Sequence, residues 1–243
     1  MTVYWISLAE LNGIGLRTKR QLLEMFRDPE EVFLAKPDTL PPEIAKALED
    51  KDLYAARAIQ KTCARQSIGI LTYGDEAYPE MLRTLEDPPL VLYYQGKLPN
   101  WQAQPLIGVV GTRKASPYGL HTARLLSAQI AACGGMVVSG AAAGVDAASM
   151  EGALETGKAV VGVLGGGVDV VYPAKNRELY RKTRENGCLL SEYPPGSRPF
   201  GGNFLQRNRI ISGISDGVLV VEAPARSGAL STANHAFSQG RDL

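Results

Sequence analysis

The feature that most constrains this chain is an alternation that begins at residue 105 and repeats five times. LIGVVG precedes YGLHTARLLSAQIAA, GMVVSG precedes VDAASMEGALET, KAVVGVLGG precedes KNRELYRKTREN, CLLSE precedes NFLQRNRIISGI, and GVLVVEA precedes GALSTANHAFSQ. Each pair is a short apolar run, as in a strand buried on both faces, followed by a segment of helical periodicity. Five such units in series predict an α/β fold: a doubly wound, mainly parallel Rossmann-like sheet with helices on both faces. After the last helical segment the sequence reads Gly240-Arg241-Asp242-Leu243, where a further strand would ordinarily start. The domain, residues 105–243, is therefore expected to be C-terminally truncated, with a sheet missing an edge.

Residues 1–66 read differently, as a small N-terminal all-α domain. ISLAELNGIG, LRTKRQLLEMF, DPEEVF, PPEIAKAL and DLYAARAIQKT are short helical segments, and Asp28 followed by Pro29 suits an N-cap with proline in the first turn. The stretch Leu11-Asn12-Gly13-Ile14-Gly15 resembles the hairpin of a helix-hairpin-helix (SAM-like) unit, whose backbone amides can hold a DNA phosphate. A tight helix–helix turn that only packs is the plainer reading. Residues 67–104, with strand-like SIGILTYG and LVLYYQG among prolines and glycines, form a connecting segment into the main domain.

Composition narrows the function classes. In 243 residues, 45% of them apolar, there is enough material for one large domain and a small appendage. No segment offers the ~18 uninterrupted apolar residues of a membrane span, and the N-terminus lacks a basic stretch followed by an apolar run, so a cytoplasmic protein is expected. Three scattered cysteines and two histidines have no metal-like spacing. Reduced thiols, no metal and no cofactor are expected. With 26 basic against 25 acidic side chains, total charge neither supports nor excludes a polyanionic partner.

In a doubly wound sheet, ligands bind outside the carboxyl ends of the strands. The turns that fall there are rich in glycine and hydroxyls: GTRKAS at 111–116, SGAAAG at 139–144, GGG at 165–167, PPGSRPFGGN at 194–203 and RSGALST at 226–232. Small residues let backbone N–H groups approach an anion, and helix N-termini add a favourable dipole. Their convergence on one sheet edge predicts a pocket for an anionic ligand.

Catalytic groups are scarce around these turns. The candidate acids and bases are Asp146, Asp169, Glu192, Glu222, His121 and His235. Asp146, just before a helical stretch, reads first as an N-cap that fixes its turn. The two histidines read as ordinary helix residues. Ser139, Ser227 and Thr232 lack an identifiable activating base, so phosphate hydrogen bonding is the more economical role.

Charge is clustered locally. Residues 170–210 hold eight basic side chains (Lys175, Arg177, Arg181, Lys182, Arg184, Arg198, Arg207, Arg209) against Glu178, Glu185 and Glu192. Arg181, Lys182 and Arg184 along one helix read as a solvated face. Lys175 ends a strand-to-helix turn, where a cation meets a bound anion. Arg207-Asn208-Arg209 heads an otherwise apolar helix, so at least one guanidinium must find a carboxylate or a phosphate.

Taken in order, the stretches YPEMLRTLEDPPLVLYYQG, GTRKASPYG, VVSGAAAGVDAAS, AVVGVLGGGVDVVYPAKNREL, LLSEYPPGSRP and FLQRNRIISGISDGVLVVEAPARSGALSTA resemble the DNA-processing protein A family, DprA or Smf. The resemblance runs from about Ser67 to the end and is weaker in the N-terminal helices. It implies a non-enzymatic, homodimeric protein that binds single-stranded DNA on a Rossmann-like core, protects incoming strands and hands them to the RecA recombinase in natural transformation. Matched by motif, it implies that Gly111, Thr112 and Arg113 form the phosphate-holding turn, and that Ser139 and Gly140 supply a second wall with Gly165 and Gly166 in the next turn. Lys175 and Asn176 follow the YP turn, Phe204, Arg207, Asn208 and Arg209 head the RNR helix, and Ser227, Gly228 and Thr232 close the site.

The chain departs from the family pattern at Met150, where a histidine is expected, and at Ala141, where a larger apolar residue is expected. The alternative reading is a nucleotide-processing hydrolase of the related group that cleaves nucleoside monophosphates. That group shows PGGxGTxxE where this chain reads ARSGALSTANHA, without the glycine pair or the glutamate. A dinucleotide-binding dehydrogenase fits less well still, because GTRKAS places an arginine where a pyrophosphate needs bare backbone.

Overall fold

The computed structural model describes residues 1–48 and 53–243 and divides into two compact units, Met1–Leu92 and Tyr93–Leu243. The first unit carries helices α1 (Thr2–Glu10), α2 (Leu16–Met25), α3 (Pro29–Leu34), α4 (Pro42–Ala47), α5 (Tyr54–Arg65) and the single turn α6 (Glu80–Arg83), with strand β1 (Gly69–Thr72). Its core is made by Trp5, Ile6 and Leu8 of α1, Leu22 of α2 and Val32 and Phe33 of α3. The expected cap of α3 is present: one Asp28 carboxylate oxygen accepts from the amides of Glu30 (2.8 Å) and Glu31 (3.0 Å), satisfying donors that no helical carbonyl can reach. The helix expected from DLYAARAIQKT is α5; its first residue, Asp52, lies outside the described residues. The 11–15 turn joins α1 to α2 with Gly13 at φ 87° and with Asn12 and Gly13 exposed.

Strand β2 (Val91–Gly96) leads into the second unit, where β3 (Leu106–Val110), α7 (Pro117–Ala132), β4 (Met136–Ser139), α8 (Val145–Glu155), β5 (Val160–Leu164), α9 (Arg177–Asn186), β6 (Cys188–Ser191), α10 (Gly201–Gly213), β7 (Gly217–Val220) and α11 (Gly228–Ser238) alternate as the sequence predicts. From β2 onward the strand order is β2-β6-β5-β4-β3-β7. The five strands of the repeating units pair in parallel, with Val137 opposite Val160 and Gly108 opposite Val218. β2 runs antiparallel to β6, with Tyr93 opposite Ser191. Strands β4, β5 and β6 are buried throughout, which is why their sequences are continuous apolar runs without alternation.

Two layers of helices cover this sheet, α7 against α8 and α8 against α9 in one, α10 against α11 in the other. α7 and α8 approach closely because Gly152 has no side chain: a Cβ there would lie 2.2 Å from the Arg124 carbonyl oxygen. Burial pushes the Cys188 thiol up to about 12, so at neutral pH it stays a protonated core side chain. Outside β7, Asp242 forms a parallel bridge with Gly217, and its carbonyl accepts from the Val218 amide at 2.8 Å.

The chain builds β3 to β6 outward in one direction and then returns to place β7 on the other side of β3. The switch point of the sheet therefore lies between β3 and β7, and there the turns that follow the two strands diverge and leave a crevice.

Candidate functional site

The turn after β3, residues 111–116, stands at this crevice, and its hydrogen bonds run inward. The Glu222 carbonyl, just past β7, accepts from the Thr112 amide at 2.7 Å. The Glu222 carboxylate accepts from the Ser116 amide at 3.1 Å and from the Ser116 hydroxyl at 2.8 Å. The Ser116 hydroxyl in turn caps α7 by accepting from the Gly119 amide at 3.0 Å, and Thr112 Oγ1 accepts from the Lys114 amide at 3.2 Å. Opposite the turn, Gly144 at φ 82° lies so close that a Cβ would sit 2.2 Å from the Thr112 carbonyl oxygen. Arg113, Lys114 and Ser116 are the exposed residues of the turn, and of these Arg113 and Lys114 carry charge.

Asp146 is not the N-cap that its position suggests. Gly144 holds that place, and Asp146 lies in the first turn of α8 with its carboxyl buried. Burial raises its affinity for a proton, while Arg207, the backbone of Ala142 and Gly111, and Arg113 pull the other way. Arg207 is 3% exposed and donates to the carbonyls of Gly140 (2.8 Å) and Val163. Burial lowers its proton affinity, and the facing Asp146 carboxyl opposes that shift. The pair fits because residue 140 is glycine: a Cβ would lie 2.5 Å from both Arg207 Nη2 and Asp146 Oδ2.

One turn earlier on α10, Phe204 reaches the crevice wall. The Arg113 guanidinium carbon lies 4.6 Å from the centre of its ring, and the Tyr172 ring lies 5.6 Å away at a 31° tilt. Gly165 lets this ring settle against the backbone, since a Cβ there would meet Phe204 Cδ1 at 2.8 Å. The guanidinium thus lies over the Phe204 ring as a cation–π contact with Tyr172 tilted against the same ring, and Arg113 and Tyr172 are both exposed.

The crevice has a volume of about 800 Å³ and takes in Gly111, Thr112, Arg113, Phe204, Arg207, Asn208, Ser227, Gly228 and Thr232 among the residues expected from sequence. A second groove of about 640 Å³, on the other side of Arg113 and Lys114, takes in Lys175 and Asn176. Gly140, Gly165 and Gly166 line a narrow slot beneath Phe204. Ser139 and Arg209 line none of these. The Ser139 hydroxyl is buried and donates to the Val109 carbonyl at 2.6 Å, and Arg209 is buried against Glu192, with Nη2 2.7 and 2.9 Å from the two carboxylate oxygens. Asn176 is also inward-turned, its amide donating to the carbonyls of Ala141 and Ala142 at 3.0 and 3.2 Å.

His121 lines the second groove, while Asp169 and Arg181 have structural partners. Asp169 accepts from the Gly196 amide at 2.9 Å and so ties two loops together. Arg181 is held between Glu178 and Glu185 on the exposed face of α9, the solvated arrangement expected there. Met150 is fully buried, with its Cε near Gly162, so the position that departs from the family pattern belongs to the core. Lys114, Tyr172, Phe200, Leu205 and Arg226 line the crevice as well and were not singled out from sequence. The signal was available for Phe200 and Leu205, large apolar residues flanking a polar helix head, each more than half exposed.

A family model described as DNA recombination-mediator protein A matches residues 69–243. The Smf protein of Synechocystis is 36% identical over 99% of this chain, which spans 63% of that protein. The DNA processing protein DprA of Bacillus subtilis is 37% identical over 73% of this chain, which spans 60% of it. Among solved structures, DNA processing protein A of Streptococcus pneumoniae superposes with a TM-score of 0.80 at 31% identity, covering 100% of this chain and 85% of that one. DNA processing protein A of Helicobacter pylori, whose structure describes a single-stranded DNA binding mode, gives 0.64 at 30% identity over 72% of this chain and 78% of its own. By its matched motifs and by its fold, the chain belongs to the DNA recombination-mediator protein A family, known as DprA or Smf.

Proposed function

We propose that this chain binds single-stranded DNA across the carboxyl edge of its sheet, as a non-catalytic recombination mediator. The observation that carries the reading is the exposed Arg113 guanidinium over the Phe204 ring, with Tyr172 against the same ring, on the wall of an open crevice. Unpaired bases offer π-faces that stack on such a surface for ~1–3 kcal/mol each, and their phosphates pair with a nearby cation. A duplex hides those faces. Lys114 and Lys175 extend the positive surface into the second groove, so a strand leaving the crevice meets further cations.

The Helicobacter pylori relative's single-stranded DNA binding supports the same chemistry here. The proposal extends to dimerisation, protection of incoming strands and hand-over to RecA, which the likeness to a recombination-mediator family supports. The decisive experiment compares affinities for a single-stranded oligonucleotide and its duplex by fluorescence anisotropy, in wild type, Arg113→Ala and Phe204→Ala. Tighter single-strand binding that falls in both variants supports the site; equal binding in all three removes it. Light scattering with and without RecA tests the assembly.

A further inference from the structure

In doubly wound proteins that bind nucleotides, the helix after the first strand of the domain presents free N–H groups to a phosphate. Here the equivalent place, at the head of α7, is filled from within. Pro117 supplies no N–H, the Ser116 hydroxyl takes the Gly119 amide, and the Glu222 carboxylate takes both the Ser116 amide and the Ser116 hydroxyl. The carboxylate also presses onto the first turn of the helix: a Cβ on Gly119 would lie within 1.9 Å of Glu222 Oε2. A negative group thus sits against the positive end of a helix, the position a terminal phosphate would take.

We propose that Glu222 is a specificity-determining residue, an internal anion that occupies the phosphate seat at the head of α7 and so excludes free phosphate and mononucleotides. Anion binding at the switch point is thereby transferred from fixed backbone amides to the Arg113 and Lys114 side chains. Backbone amides converging on one seat hold a terminal phosphate of fixed position, whereas flexible cations follow the repeating phosphates of a chain. This inference rests on the single-strand reading for its biological meaning, but its physical content concerns inorganic phosphate alone.

The test titrates inorganic phosphate at constant ionic strength into the full chain and follows the Ser116 amide by NMR. In wild type that amide should not shift. Glu222→Ala vacates the seat and should show a saturable phosphate-dependent shift of the Ser116 amide, with an apparent affinity at least about tenfold above the limit that the unshifted wild type sets, the effect expected for a dianion at a helix N-terminus; no shift in Glu222→Ala would refute the seat. Glu222→Gln removes the charge but leaves an acceptor oxygen in place, so it should gain much less. Equal gains in the two variants would mean that only the general field had changed, and the seat would be refuted. A phosphate-dependent shift of the Ser116 amide in wild type, which needs no variant to fold, would refute it as well. If Glu222→Ala does not fold, Glu222→Ser clears the same space and carries the same expectation. Failure of DNA binding alongside a positive phosphate result would overturn the proposed function and leave the role of Glu222 standing.

Discussion

Two arginine-bearing regions face the same crevice and use the same side chain in opposite ways. In the turn after β3, Arg113 projects from a loop tied at Thr112 and Ser116 to Glu222, and the residue stays exposed with its guanidinium over Phe204. In α10, Arg207 and Arg209 stand in the middle of the helix and not at its head as the sequence suggests, and both are buried, one facing Asp146 and two carbonyls, the other on Glu192. Burial decides between the roles. A guanidinium taken out of water must be met by fixed protein acceptors, and it then becomes framework; one left at the rim keeps its donors for a partner.

The contrast can be broken by substitution, beginning where the effect should be largest. Arg207→Ala leaves the buried Asp146 carboxyl without its facing charge and should lower the unfolding free energy by about 3–5 kcal/mol in chemical denaturation. Arg113→Ala should leave the thermal midpoint unchanged and weaken single-strand binding about tenfold, the loss of one well-placed phosphate contact together with its stacking. An Arg113→Ala protein that unfolds early, or an Arg207→Ala protein that does not, would invert the assignment.

A smaller effect sharpens the picture of the buried pair. Burial raises the Asp146 carboxyl above its ordinary value of 3.8, so the native state keeps a proton that the unfolded chain releases. The contribution of this group to stability is therefore fully present below 3.8 and declines as pH rises through its folded value. Measured against Asp146→Asn, which cannot titrate, the relative stability of wild type should fall with rising pH in the acid range. A relative stability that rises would mean that Arg207 outweighs burial. Smallest of all, Arg181→Ala, on the exposed face of α9, should leave both stability and DNA affinity unchanged within error.

The sheet was readable from sequence because its evidence is local: β4, β5 and β6 are apolar runs bounded by glycine turns, and each is followed by its own helix. The antiparallel pairing of β2 with β6 was not, since Tyr93 and Ser191 meet only in the folded chain and nothing near either residue specifies the other. The site divides along the same line. Glycines, hydroxyls and arginines drew attention to turns that the fold brings together, and Arg113 and Phe204 meet at the crevice. What the pattern could not supply was the direction of each donor. The Ser116 amide, at a helix start that resembles a phosphate seat, is taken by Glu222 from the far side of the switch point, and Ser139, Asn176 and Arg209 turn inward. Hydrogen bonds between residues distant in sequence, which no local motif encodes, separate framework from interface.

The central claim is that exposed cations beside an aromatic wall hold a flexible polyanion. The most direct measurement is the salt dependence of single-strand affinity in wild type and Arg113→Ala, with the duplex titrated in parallel. The account predicts that log affinity falls linearly with log salt, that the single strand binds more tightly than the duplex at every salt concentration, and that Arg113→Ala lowers the slope by about one. A preference for the duplex, or a slope unchanged by removing Arg113, would contradict it.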